Sequence, residues 1–247
     1  MNKYLRSELY RIRSKKLVYF LPFLLAAIPL LGILLVWSVG LSNPSFEYNS
    51  TGFLYRFCRL SFNNLVLVLP FITIYLFANE YSNGTFKNTV VSGINRRTIY
   101  ISKLIVIFAL LLLFVLLDLI MIVSAIELLL EPKDQFERTL FFKDFLQSIP
   151  LFIASFSVSV MFCFTEEKVF SNLIKYFLII YLIPVFLGSF ENIISGIKPF
   201  LNVFPIIRMA SNLPFNAETI LFNWLLAVLY FCIAFMIGDS NFRKKEI

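Results

Sequence analysis

An all-α integral membrane fold is predicted, and three observations carry it. Hydrophobic residues make up 59% of the 247-residue chain and charged residues only 15%, whereas soluble domains are about a quarter charged. The apolar residues are also gathered into runs. Crossing about 30 Å of hydrocarbon at about 1.5 Å per helical residue takes roughly 20 apolar residues. Six runs approach or exceed that length, at about 17–39, 60–77, 99–127, 145–164, 173–189 and 219–237. Finally, the basic residues segregate between alternate connections. The mean hydropathy of +0.83 and the 30 phenylalanines agree with six transmembrane helices.

Residues 1–16, MNKYLRSELYRIRSKK, form the first element. Leu5, Leu9 and Ile12 recur at helical spacing, with Lys3, Arg6, Tyr10 and Arg13 on another face. That pattern predicts an amphipathic helix lying in the interface; a plain basic anchor is the simpler alternative. The run at 17–39 is too long for a signal-peptide core, and no small-x-small cleavage pattern follows it, so no cleavable signal peptide is expected. Pro29, Pro70 and Pro184 fall inside predicted spans, where each removes a backbone donor and favours a kink. The segment 190–218 is too polar to span and too apolar for a simple loop. Two short helices are expected there, at about 191–197 and 201–210, as a re-entrant hairpin between spans five and six. An ordinary amphipathic outer loop is the alternative.

With six spans, the N-terminus, the second and fourth connections and the C-terminus share one side. Those segments carry fifteen Lys and Arg, among them Lys3, Arg6, Lys87, Arg96, Lys103, Lys168 and Arg243; the other side carries seven. Short loops retain their basic residues in the cytoplasm, so both termini are expected to be cytoplasmic. The net charge of +7 follows from this bias and from attraction to anionic lipid, and requires no nucleic-acid partner.

Several chemistries are excluded. The chain has no His, which removes Ser-His-Asp and Cys-His arrangements and the commonest metal ligand. No G-x-x-x-x-G-K-[ST] occurs, so no P-loop can cradle a nucleotide. Cys58, Cys163 and Cys232 lie far apart in or beside apolar segments and are expected to be buried apolar residues. No catalytic residue, cofactor or metal site is expected in this chain. One carboxylate, Asp118, stands within a span. An intramembrane acid is costly to bury and is by default a candidate functional group. It either lines a pathway or bonds a neighbouring helix.

The stretch at 79–103, NEYSNGTFKNTVVSGINRRTIYISK, separates spans two and three. Ser82, Asn83 and Gly84 break one helix, and residues 85–92 can form two turns that end at Gly93. Phe86, Val90 and Ile94 share a face, and a new helix is expected to start near Asn95. Such a helix could dock a groove on a soluble partner or rest on lipid.

The order Glu80, Gly84-Thr85, then RRTIYISK at 96–103 resembles ABC-2 type transporter permeases. So does the N-terminal E-L-x-R-x-R of Glu8, Leu9, Arg11 and Arg13, and so does the re-entrant segment. The resemblance implies one transmembrane domain over 1–247, with residues 1–16 as its connecting helix and 85–92 as its coupling helix. Glu80, Gly84, Thr85, Phe86, Val90, Arg96 and Arg97 would form the ATPase-coupling site. It further implies a cognate ABC ATPase holding the ATP and Mg, and a second permease, the same or similar. The setting implied is the bacterial cell membrane. Small permeases of this kind export bacteriocins, lantibiotics, bacitracin-like antibiotics or amphipathic toxins, so a hydrophobic or amphipathic peptide is the substrate expected, with immunity or antibiotic resistance the purpose. Asp118 has no counterpart in these motifs. The rival reading is a non-transporting membrane sensor or assembly protein whose cytoplasmic loop docks a signalling partner.

Overall fold

The computed structural model describes residues 2–43, 45–82, 89–165, 169–191, 193–194, 196–211 and 213–244. Every element among them is helical. The first five are α1 (Asn2–Arg13), α2 (Lys16–Ser42), α3 (Thr51–Ser82), α4 (Arg96–Leu129) and α5 (Gln135–Thr165). Helix α6 (Val169–Phe177) passes through a π-helical stretch, Leu178–Leu182, into α7 (Ile183–Gly188). The short helices α8 (Ile197–Leu201) and α9 (Pro205–Ala210) precede the last helix, α10 (Ala217–Lys244).

Among the described residues, five helical stretches are long and apolar enough to cross a membrane: Val18–Ser42, Arg96–Leu129, Gln135–Thr165, Phe170–Gly188 and Ala217–Lys244. The run at 60–77, expected as a further span, falls inside α3. Helix α5 is the centre of the bundle, packed against α3 and α10. Of its most apolar window 78% is buried, against 22–39% in the other four. Ala154, Ser155, Ser157 and Ser159 are all buried on α5, and side chains this small let neighbouring backbones approach closely. Helix α2 has no polar face and leaves Phe23, Leu24 and Leu35 exposed, as a surface in lipid requires.

Two helices begin well before the apolar runs that predict them. Helix α3 starts at Thr51 and α5 at Gln135, rather than near 60 and 145. Their added turns pair charges across the helices. Arg56 Nε lies 2.8 Å from Glu137 Oε1, and Arg59 Nε lies 3.3 Å from Asp144 Oδ2. Thr51 Oγ1 donates to the Pro132 carbonyl at 3.0 Å and accepts from the Asp134 backbone at 2.7 Å. Asp134 in turn accepts from the N–H groups of Phe136 and Glu137, which caps α5.

The segment between α7 and α10 departs from expectation in register. Helix α8 lies at Ile197–Leu201, not at 191–197, because Gly196 takes φ +98°. That left-handed conformation cannot continue a right-handed helix, so Gly196 precedes α8 instead of standing within its predecessor. Helix α9 starts at Pro205 rather than at 201, since proline suits the first helical turn. Pro184 has a subtler effect. It has no N–H to give the preceding turn, and the helix ahead of it widens, with Ile183 N–H donating to the Leu178 carbonyl.

Candidate functional site

The start of α4 is the meeting point of both terminal segments. Asn95 caps α4, its side chain accepting from the Arg97 N–H at 3.0 Å. Gly93, just before it, takes φ +86°, as expected of a residue that ends a helical turn. One turn into α4, Tyr100 is buried. Its ring centroid lies 4.5 Å from that of Phe164 at the end of α5 and 5.4 Å from that of Phe235 in α10. Phe164 also meets Phe242, 5.2 Å away. A Cβ on Gly238 would fall 2.5 Å from Tyr100 Oη, so this glycine lets α10 approach the ring. Arg96 Nη1 donates to the Arg243 carbonyl at 2.8 Å.

Helix α1 is fastened to the same turn of α4 by charge. Lys103 Nζ lies 3.0 and 3.1 Å from the two carboxylate oxygens of Glu8. Both side chains are almost fully buried, 2% and 4% exposed. Arg11, one turn along α1, donates to the same carboxylate. Lys103, one of the basic residues that carry the charge bias, is not left in solvent but covered by α1. The inward face of α1 therefore centres on Glu8 and Ile12, while Leu9 is half-exposed. A pair as buried as this is strongly destabilised by loss of one partner, about 3–5 kcal/mol.

Of the residues expected to couple to an ATPase, Gly84, Thr85 and Phe86 lie outside the described residues. Glu80 falls in the last turns of α3, and its side chain also lies outside them. Arg96 is half-buried and Arg97 exposed. Val90, expected on the docking face with Phe86, is half-buried and packs with Ile94 against the bundle core. The neighbouring Val91 is 80% exposed.

Asp118 is buried in the middle of α4, and its Oδ1 has no hydrogen-bond partner among the described residues. Cys58 and Cys163 are buried, as expected of apolar cysteines, but Cys232 is exposed on α10.

Sequence reasoning missed the Glu8–Lys103 joint. The available signal was Glu8 itself, the single acid among six basic residues in positions 1–16.

A helical bundle with five apolar, span-length helices among the described residues, and with both terminal segments fastened to one end, defines a multi-pass membrane protein. The family model described as ABC-2 family transporter protein matches residues 4–187, and the chain belongs to that family. It is thus a transmembrane component of an ABC transporter, the associate of an ABC ATPase rather than the ATPase itself. No curated protein matches the sequence.

Proposed function

We propose that the chain is the permease subunit of an ABC exporter, a single six-span domain paired with a second copy or a similar permease in a bacterial cell membrane. Both termini and the loop at 83–95 face the cytoplasm. A cognate ATPase binds ATP and Mg and docks on the segment 85–92, through Phe86 and the exposed Val91. The substrate is a hydrophobic or amphipathic peptide, toxin or antibiotic, because the spans offer little charge to line an aqueous path.

The observation that carries this reading is the convergence on residues 95–103. A push on the loop before Asn95 meets α1 through Lys103, α5 through Tyr100, and α10 through Tyr100 and Arg96. A docking event there can move three helices as one body. The test is co-purification of the complex from native membrane. The wild-type chain is expected to retain a P-loop ATPase, and Phe86→Asp with Val91→Asp to lose it while still inserting. Retention of the ATPase by that double variant removes the docking assignment. Recovery of a signalling protein and no ATPase favours the sensor reading.

A further inference from the structure

At the other end of the bundle lies a polar cavity of about 190 Å³, bordered by Arg59, Asp144, Gln147, Arg208, Thr219 and Asn223. Gln147 stands 17 residues from Phe164 on α5, so the cavity is roughly 25 Å from the Tyr100 cluster. That distance is close to the thickness of the hydrocarbon layer, which puts the cavity at the opposite headgroup level.

Its charges do not balance among the described residues. Arg56 and Arg59 face Glu137 and Asp144 at 2.8 to 3.7 Å. Arg208 is only 8% exposed, yet no carboxylate pairs with it among the described residues. Its Nε donates to Asn223 Oδ1, and its guanidinium carbon lies 4.3 Å from the centroid of the Phe222 ring. Neither terminal nitrogen has an acceptor among the described residues. The surrounding amides are held in place: Asn223 Nδ2 donates to the Gln147 carbonyl at 3.0 Å, and Gln147 Nε2 to the Pro214 carbonyl at 2.9 Å. Burial pushes the Arg208 guanidinium below its ordinary value, as expected where no acid offsets the desolvation.

A buried guanidinium without an anion is unfavourable, and this one keeps two donors in the fork geometry that suits an oxyanion. Apolar side chains are also exposed beside the charged ones: Leu60, which borders the cavity, is 72% exposed, and Phe222, stacked on Arg208, is 41% exposed. A polar, arginine-bearing cavity at headgroup depth with exposed apolar side chains beside it matches an anion that carries acyl chains. We propose that this cavity binds the phosphate of an anionic phospholipid headgroup, with Arg208 as its principal ligand and Arg59 beside it.

The proposal rests on the membrane placement of the chain but not on ATPase docking, and its test requires no partner. The detergent-purified full chain is titrated with short-chain phosphatidylglycerol, with phosphatidylcholine of the same chain length and with inorganic phosphate, and binding is read by native mass spectrometry. Phosphatidylglycerol is expected to bind at least tenfold tighter than phosphatidylcholine. Arg208→Gln is expected to abolish that preference, with Arg208→Lys keeping part of it. Arg59→Gln, at a less buried position, guards against a folding defect and should weaken binding severalfold. Inorganic phosphate binding without a lipid preference assigns the free ion and overturns the lipid proposal. Equal binding of phosphatidylglycerol by wild type and by both Gln variants overturns it as well.

Discussion

Lys103 and Arg208 are both buried cations, near opposite ends of one bundle. Lys103 meets a carboxylate of its own chain at 3.0 Å, brought by α1 from 95 residues away in sequence. Arg208 meets an amide oxygen and an aromatic face. At the first end the buried charge is compensated, the aromatic rings of α4, α5 and α10 interlock, and the helices are joined. At the second, a cavity remains and one guanidinium has spare donors. Compensation within the chain makes a joint; its lack leaves a site to be completed from outside.

That contrast is broken most sharply at the joint. Lys103→Ala leaves Glu8 buried beside Arg11 alone among its described partners, and the cost expected is about 3–5 kcal/mol. Equilibrium unfolding of the detergent-purified chain measures it. Glu8→Gln combined with Lys103→Met removes both charges and should recover most of the loss. Failure of the double variant to recover would show that packing of α1, and not its charge pair, holds the joint.

Arg208→Met is the counterpart test. Without added lipid it removes a buried charge that has no acid partner among the described residues, so stability is expected to hold or to rise by about 1 kcal/mol. Lys103→Met alone should do the opposite. If both single variants lose stability alike, Arg208 is as structural as Lys103 and the contrast between the ends disappears.

The joint has a second element, the close approach at Gly238, whose expected effect is second to that of Lys103. A methyl group there meets the Tyr100 hydroxyl, and overpacking of this kind costs about 1–3 kcal/mol. Gly238→Ala is therefore expected to lower the unfolding midpoint. Tyr100→Phe in the same chain removes the clashing oxygen and should restore part of it. No rescue would place the strain elsewhere along α10.

The contrast also marks where sequence reasoning reached and where it stopped. The positions of the apolar helices follow from local hydropathy, and the break at Gly93 and the start near Asn95 follow from the local chemistry of caps and turns. Those signals need only neighbours in sequence. Lys103 counts in the sequence only as one more basic residue of its side, because nothing near it in sequence reveals α1 folding over it. The early starts of α3 and α5 were hidden for the same reason: hydropathy counts Arg56, Arg59 and Glu137 as polar, and their pairing across helices is a tertiary fact. Arg208 lay in a segment read as two short helices, and its burial depends on Asn223 and Phe222 arriving from α10.

The smallest effect expected separates the edge of the cavity from its centre. Arg56 also borders the cavity, but its side chain is 65% exposed and reaches Glu137 from the solvent side. Arg59 approaches the same carboxylate at 3.7 Å, so Glu137 keeps a cation when Arg56 is removed. Arg56 is the exposed partner of a buried carboxylate that Arg59 also faces, and Arg56→Ala is expected to cost about 1 kcal/mol, near the upper end for solvent-facing pairs. Its binding of phosphatidylglycerol should stay within twofold of wild type, because the buried guanidinium with no carboxylate among the described residues is that of Arg208. A loss of lipid binding comparable to that of Arg208→Gln would mean that the anion is held by the summed charge of the three arginines. The unpaired guanidinium would then have no special standing, and the cavity would be an electrostatic basin rather than a ligand site.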